Sequence, residues 1–283
     1  MIINRRHNLL LALYCMILIG YPFCAVASTL LPSLGSYPAY ILRGFILLIS
    51  SILIGAGLLN GKIRPASLWL VFFIMIYSLR LGYDIGAYGS QILSEVVLFF
   101  VILVIIPVIA AILTPHTPFN TTLLTKLISI FSTLLVVTLF LMWLSGYAYN
   151  PWEGLLETTR FALEGLNPIS VGYYSSICII SCSLLVMDKK ISSLLKFIAI
   201  IGIFLGLVVL LLANSRGPIV ALIIMLLFIS RKQTTNSIKI WLVYLFGVSL
   251  IVFFTDLLTP ILDRIIPTFA GDFDLSALGR LDY

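Results

Sequence analysis

Runs of about twenty apolar residues recur from one end of this chain to the other. Each is long enough to cross a hydrocarbon core of roughly 30 Å as a helix. Over 283 residues, 61% are hydrophobic and only 10% charged. Soluble domains carry about 25% charged residues, so a soluble fold is excluded. The runs predict an all-α, polytopic transmembrane helical bundle of about nine spans. They cover approximately 8–28, 39–59, 66–82, 91–113, 122–146, 169–187, 195–213, 217–230 and 239–256. Turn-forming residues separate them: Leu31-Pro32-Ser33, Asn60-Gly61, Thr114-Pro115-His116-Thr117-Pro118 and Asn150-Pro151. No internal repeat, linker or low-complexity tract interrupts the pattern, so residues 1–283 read as a single membrane domain.

Charge sets the expected topology. One set of loops holds Arg5, Arg6, Lys62, Arg64, Lys126, Lys189, Lys190, Lys196, Arg231, Lys232 and Lys239, with Asp188 its one acid. The other set holds arginines and acids but no lysine. Its arginines are Arg80, Arg160, Arg216, Arg264 and Arg280. Its acids are Asp84, Glu153, Glu157, Glu164, Asp256, Asp263, Asp272, Asp274 and Asp282. The positive-inside rule places the first set, and the N-terminus with it, in the cytoplasm. The same rule explains the net charge of +6, so nucleic acid is not expected as a partner. Arg5 and Arg6 followed by an apolar run and Ala25-Val26-Ala27 imitate a signal peptide. The run exceeds the usual 7–15 residues of such a segment, and an uncleaved first span is expected.

Few side chains offer metal or acid–base chemistry. Cys15, Cys24, Cys178 and Cys182 all lie in apolar runs. Cys178 and Cys182 share a helix face at i, i+4, but no second pair or histidine accompanies them, and packing is preferred to metal binding. His7 and His116 fall near expected cytoplasmic loops. No metal and no cofactor are expected. The segment 147–168 sets Tyr147, Tyr149, Trp152 and Phe161 among acids, as an interfacial helix would.

The arginines of the lysine-free face are the strongest chemical signal. A guanidinium binds phosphate through a planar fork and stays charged when partly desolvated. Arg80 beside Asp84 and Arg264 beside Asp263 serve equally well as ion-pair partners. Arg216 differs. It stands in Ala213-Asn214-Ser215-Arg216-Gly217-Pro218, between two apolar runs with almost no loop and no neighbouring acid. Pro218 suits a first helical turn, where free N–H groups and the positive dipole end would join the arginine. A membrane-depth arginine of this kind is read as anion-binding, for a lipid-linked phosphate. Arg43 also falls within an apolar run. It either snorkels to the interface, the preferred reading, or lines the same cavity; Glu95 is its candidate partner.

Three stretches together resemble the O-antigen ligase and O-antigen polymerase superfamily of bacterial polysaccharide enzymes. The first is Arg160-Phe161-Ala162-Leu163-Glu164-Gly165-Leu166-Asn167-Pro168 leading to Gly172. The second is Asn214-Ser215-Arg216-Gly217, and the third is Ser276-Ala277-Leu278-Gly279-Arg280-Leu281. The resemblance covers about 160–283. It implies glycosyl transfer on the periplasmic face of the bacterial inner membrane, from a glycan on undecaprenyl diphosphate. The acceptor would be the lipid A core for a ligase, the preferred reading, or a second lipid-linked repeat for a polymerase. Arg160, Arg216 and Arg280 would bind the diphosphate, with Arg43 and Arg80 as secondary candidates, and membrane lipids would surround the protein. The family's general-base histidine, on a later loop, has no counterpart on this face. Either the chain is a fragment that lacks the family's remaining loop and last spans, or that part of the mechanism does not apply; alone it is expected to be inactive. A transporter for an anionic or lipid-linked substrate is the alternative of another class, favoured by intramembrane arginines and disfavoured by the lack of a repeat. A non-catalytic scaffold would leave the bare Asn-Ser-Arg-Gly-Pro junction unexplained.

Overall fold

The computed structural model describes residues 2–58, 72, 74–76, 78–79, 82–83, 100–113, 121–147, 161–163, 166–188 and 190–230; for residues 2–5, 216 and 228–230 it describes the backbone alone. Among the described residues, five helices are long and apolar enough to cross a membrane: Arg6–Leu30, Tyr37–Leu58, Thr121–Leu144, Pro168–Met187 and Ser193–Ala213. Two shorter apolar stretches are helical, Val101–Leu113 and Gly217–Leu227. The described residues contain no β-strand, and the protein is a helical membrane protein. Each of the five long helices coincides with an expected span within a few residues. The expected span 239–256 lies outside the described residues, as does most of 66–82.

The helices fall into two compact units, Met1–Leu124 and Thr125–Tyr283. The first unit opens with α1 (Ile2–Cys15), a π-helical turn (Met16–Gly20) and α2 (Tyr21–Leu30), which run on as one apolar rod. A short 3-10 turn (Pro32–Leu34) leads to α3 (Tyr37–Leu58). A second π turn (Val101–Ile105) leads to α4 (Ile106–Leu113). Both π turns have the same cause. Pro22 has no N–H to return to the carbonyl four residues back, and Pro107 repeats this at the second turn. A wider turn accommodates the missing bond and the bulky ring.

Helical periodicity builds the core of this unit. Leu10 and Leu13 of α1, Ile46, Ile49 and Leu53 of α3, and Ala110 and Ala111 of α4 pack together. The opposite face of α3 exposes Tyr40, Ile41, Phe45, Leu48 and Ile52. A helix apolar all round is what a hydrocarbon solvent selects. Between α2 and α3 the Ser28 hydroxyl reaches the carbonyl oxygens of Cys24 at 3.0 Å and Gly35 at 2.7 Å. The Cys24 thiol reaches the Pro38 carbonyl at 3.3 Å. Two side chains of α2 thus reach carbonyls in the turn and at the start of α3.

The second unit contains α5 (Thr121–Leu144, from Thr125 onward), α6 (Pro168–Met187), α7 (Ser193–Ala213) and α8 (Arg216–Ser230). Its seam is small and polar rather than bulky. The Thr133 hydroxyl of α5 lies 3.3 Å from the Cys182 sulfur and 3.8 Å from that of Cys178. The Ser132 and Ser181 hydroxyls are 3.4 Å apart. Gly202 of α7 fits against this cluster: a Cβ there would meet the Thr133 hydroxyl and would lie 2.9 Å from the Cys182 sulfur. In lipid, where apolar contact with a neighbour gains little over contact with acyl chains, small residues let helices approach and polar ones hold them. The buried Cys178 and Cys182 are free thiols in that seam.

Candidate functional site

The described parts of the stretches 160–172 and 214–217 lie at one end of the second unit. Helix α6 begins there, α7 returns to it, and α8 leaves it again.

The segment before α6 is anchored first. The Phe161 N–H donates to the Leu212 carbonyl near the end of α7, at 3.0 Å. Leu163 and Leu166 then exchange backbone hydrogen bonds of 3.0 and 2.9 Å, closing a tight turn. Phe161, Ala162, Leu163 and Leu166 are all buried. Leu163 and Leu166 can be buried because each backbone N–H meets the other's carbonyl. Asn167 caps α6: its Oδ1 accepts the Ser170 N–H at 2.8 Å, and Pro168 occupies the first helical position. The Asn-Pro pair therefore has a local physical role, since an N-cap side chain satisfies one free donor and proline at N1 forfeits nothing.

The second segment turns as abruptly as its sequence suggests. Helix α7 ends at Ala213 and α8 begins at Arg216. Asn214 makes the reversal in the left-handed region, at φ 46° and ψ 50°. Asparagine is one of the few residues other than glycine that visit this region readily. Asn214 and Ser215 are both only 7% exposed.

Helix α6 holds the first turn of α8 from the side. A Cβ on Gly172 would lie 2.8 Å from Pro218 Cγ and 3.1 Å from its Cβ, so the proline ring occupies the place of a side chain. One turn further on, the buried Ser176 hydroxyl is shared between the Gly172 carbonyl at 3.0 Å and the Pro218 carbonyl at 3.2 Å. Tyr173, exposed on α6, comes near the same turn. A Cβ at position 217 would be 3.7 Å from its hydroxyl oxygen.

The candidate residues divide accordingly. Arg216 opens α8 at this junction. Arg160 directly precedes Phe161 in sequence but lies outside the described residues, as do Arg80 and Arg280. Arg43 belongs to the first unit, half-buried in α3, with its guanidinium 5.1 Å from the centre of the Tyr40 ring. Glu95 lies outside the described residues. Among the described residues no cluster of three histidine, cysteine or acidic side chains could hold a metal ion.

Three features of the junction escaped the sequence reading: the Ser176 bridge, the nearness of Tyr173 to Gly217, and the anchoring of Phe161 on α7. Gly172 and Ser176 stand at i, i+4 and so share one helix face. That spacing is visible in sequence, whereas the helix it faces is not. Comparison with known proteins returns no matching family model, and no curated protein or solved structure matches the chain.

Proposed function

We propose that this protein, when full length, transfers a glycan from undecaprenyl diphosphate at the periplasmic face of a bacterial inner membrane, most readily as an O-antigen ligase acting on the lipid A core. A polymerase of the same superfamily, extending a second lipid-linked repeat, is the nearest alternative. The observation that carries the reading is the convergence of Phe161–Gly172 with Asn214–Pro218. Two of the three stretches that resemble the superfamily are about 40 residues apart in sequence yet share one junction.

In this reading the chain crosses the membrane about nine times with its N-terminus in the cytoplasm. Helix α6 has 20 residues, so it spans about 30 Å at 1.5 Å per residue. Lys190 and Lys196, just beyond its far end, then lie a membrane thickness away from the junction. That separation is what the charge pattern demands. Arg216 supplies a fork for the diphosphate, and the first N–H groups of α8 add positive potential beside it. Arg160 and Arg280 join it, stabilising the charge that develops on the leaving diphosphate. Arg43 and Arg80 are secondary. The chemistry asked of these residues is binding and charge stabilisation, with no cofactor. A base for the acceptor hydroxyl is not assigned.

Lipopolysaccharide from a strain lacking the gene tests the reading. A ligase predicts loss of all long chains from the core while lipid-linked polymer persists; a polymerase predicts a core bearing a single repeat. An unchanged ladder would remove both. A transporter would move labelled substrate across proteoliposomes without altering its length or attachment.

A further inference from the structure

We propose that Gly172 and Ser176 of α6 are positioning residues that set where the Arg216 turn presents its phosphate-binding groups; this rests on the reading of Arg216 given above. The inference stands on backbone geometry. Arg216, Gly217 and Pro218 are consecutive, and α6 holds Pro218 by its ring and its carbonyl. Its ring fills the space above Gly172, where a Cβ would approach to 2.8 Å. Its carbonyl receives part of the Ser176 hydroxyl at 3.2 Å, the rest going to the Gly172 carbonyl at 3.0 Å.

These two contacts oppose each other. The ring limits how closely the turn approaches α6, and the hydroxyl limits how far it retreats. A proline ring is rigid and cannot rotate away as a leucine side chain can. A methyl group at 172 must therefore move the turn itself. On the other side of the junction the chain is fixed by Asn214 in its left-handed conformation. The Arg216 backbone is thus held between a constrained reversal and a clamped proline. Anchoring a binding group on rigid elements in this way is what precise two-point recognition of a phosphate by a planar guanidinium requires.

Gly206 of α7 provides a control for tight α6–α7 packing, against an isoleucine side chain and not a proline ring. A Cβ there would come equally close, 2.8 Å from Ile179 Cγ1. It loads the α6–α7 packing without touching Pro218.

The test is donor kinetics in membranes that contain the protein, with a synthetic undecaprenyl-diphosphate-linked glycan as probe and lipid A core as acceptor. Membrane abundance is measured for each variant. Gly172→Ala is expected to raise the donor KM about tenfold, less than the ~10²-fold that a full 1 Å misplacement can cost. The acceptor KM should not change. Ser176→Ala should raise the donor KM in the same sense by a smaller factor, and it carries the test if Gly172→Ala does not accumulate. Gly172→Ala combined with Pro218→Ala should recover part of the loss, because the obstructing ring carbon is gone. Gly206→Ala should keep the wild-type donor KM. A purely structural role would instead lower the maximal rate with abundance, at unchanged donor KM, and would overturn the inference. The same holds if Gly206→Ala raises the donor KM as much as Gly172→Ala does. If Arg216→Lys transfers glycan normally, the underlying reading of Arg216 fails and the inference fails with it. If Arg216→Lys is inactive while Gly172→Ala and Ser176→Ala keep the wild-type donor KM, only the positioning role is refuted.

Discussion

Asn214 carries a demand that few side chains meet. Its φ of 46° puts the backbone where a Cβ crowds the following carbonyl, at a cost of roughly 1–2 kcal/mol for an ordinary residue. Glycine escapes this crowding, and asparagine tolerates it through local hydrogen bonding. Asn214→Gly should therefore leave thermal stability in detergent nearly unchanged. Asn214→Val should lower stability by about 2 kcal/mol, because a β-branched side chain is the poorest choice for this region. Equal melting temperatures for the two variants would show that the reversal is made some other way. The neighbouring Ser215 and Arg216 inherit their placement from this one residue, which connects a backbone preference to the proposed anion site.

At the scale of the elements, the second unit depends on closeness rather than bulk. Gly202 of α7 lies against Thr133 and Cys182 with no room for a side chain. Overpacking of a closely packed site costs about 1–3 kcal/mol, occasionally more. Gly202→Leu should separate α7 from α5 and α6, and the protein should be lost from the membrane fraction. Full accumulation of a heat-stable Gly202→Leu protein would contradict this packing. The helices themselves were legible from sequence because hydrocarbon imposes one simple rule, a sustained apolar run. The five long spans follow that rule directly. Their partners do not, since in lipid the side that faces a neighbour and the side that faces acyl chains are both apolar. The i, i+4 pair Cys178 and Cys182 could be placed on one helix face. That Thr133 would meet it depends on separations of 45 and 49 residues along the chain, and that Gly202 would on one of 24 residues from Cys178. The junction was half legible for the same reason. Asn214-Ser215-Arg216-Gly217-Pro218 announced a sharp turn, and Asn167-Pro168 a helix start. Nothing local in either stretch indicates that Pro218 rests on Gly172.

At the level of the whole molecule, a charge pattern and a chemical junction bear on each other. Lys190 and Lys196 lie beyond one end of α6 and at the start of α7, and Asn214 to Pro218 lie at the other end of α7. The positive-inside rule then assigns the two ends to opposite faces of the membrane. A cysteine replacing Lys190 should be shielded from an impermeant thiol reagent in intact cells, whereas one replacing Glu153 should react. The reverse pattern would invert the topology and remove the periplasmic assignment of Arg216. The most direct test of the central claim returns to that residue. Lipopolysaccharide is compared in a deletion strain complemented with wild-type protein and with Arg216→Lys. A lysine keeps the charge but loses the planar fork, so the account predicts that wild type restores the long chains and Arg216→Lys does not, at equal membrane abundance. Full restoration of the ladder by Arg216→Lys would contradict it.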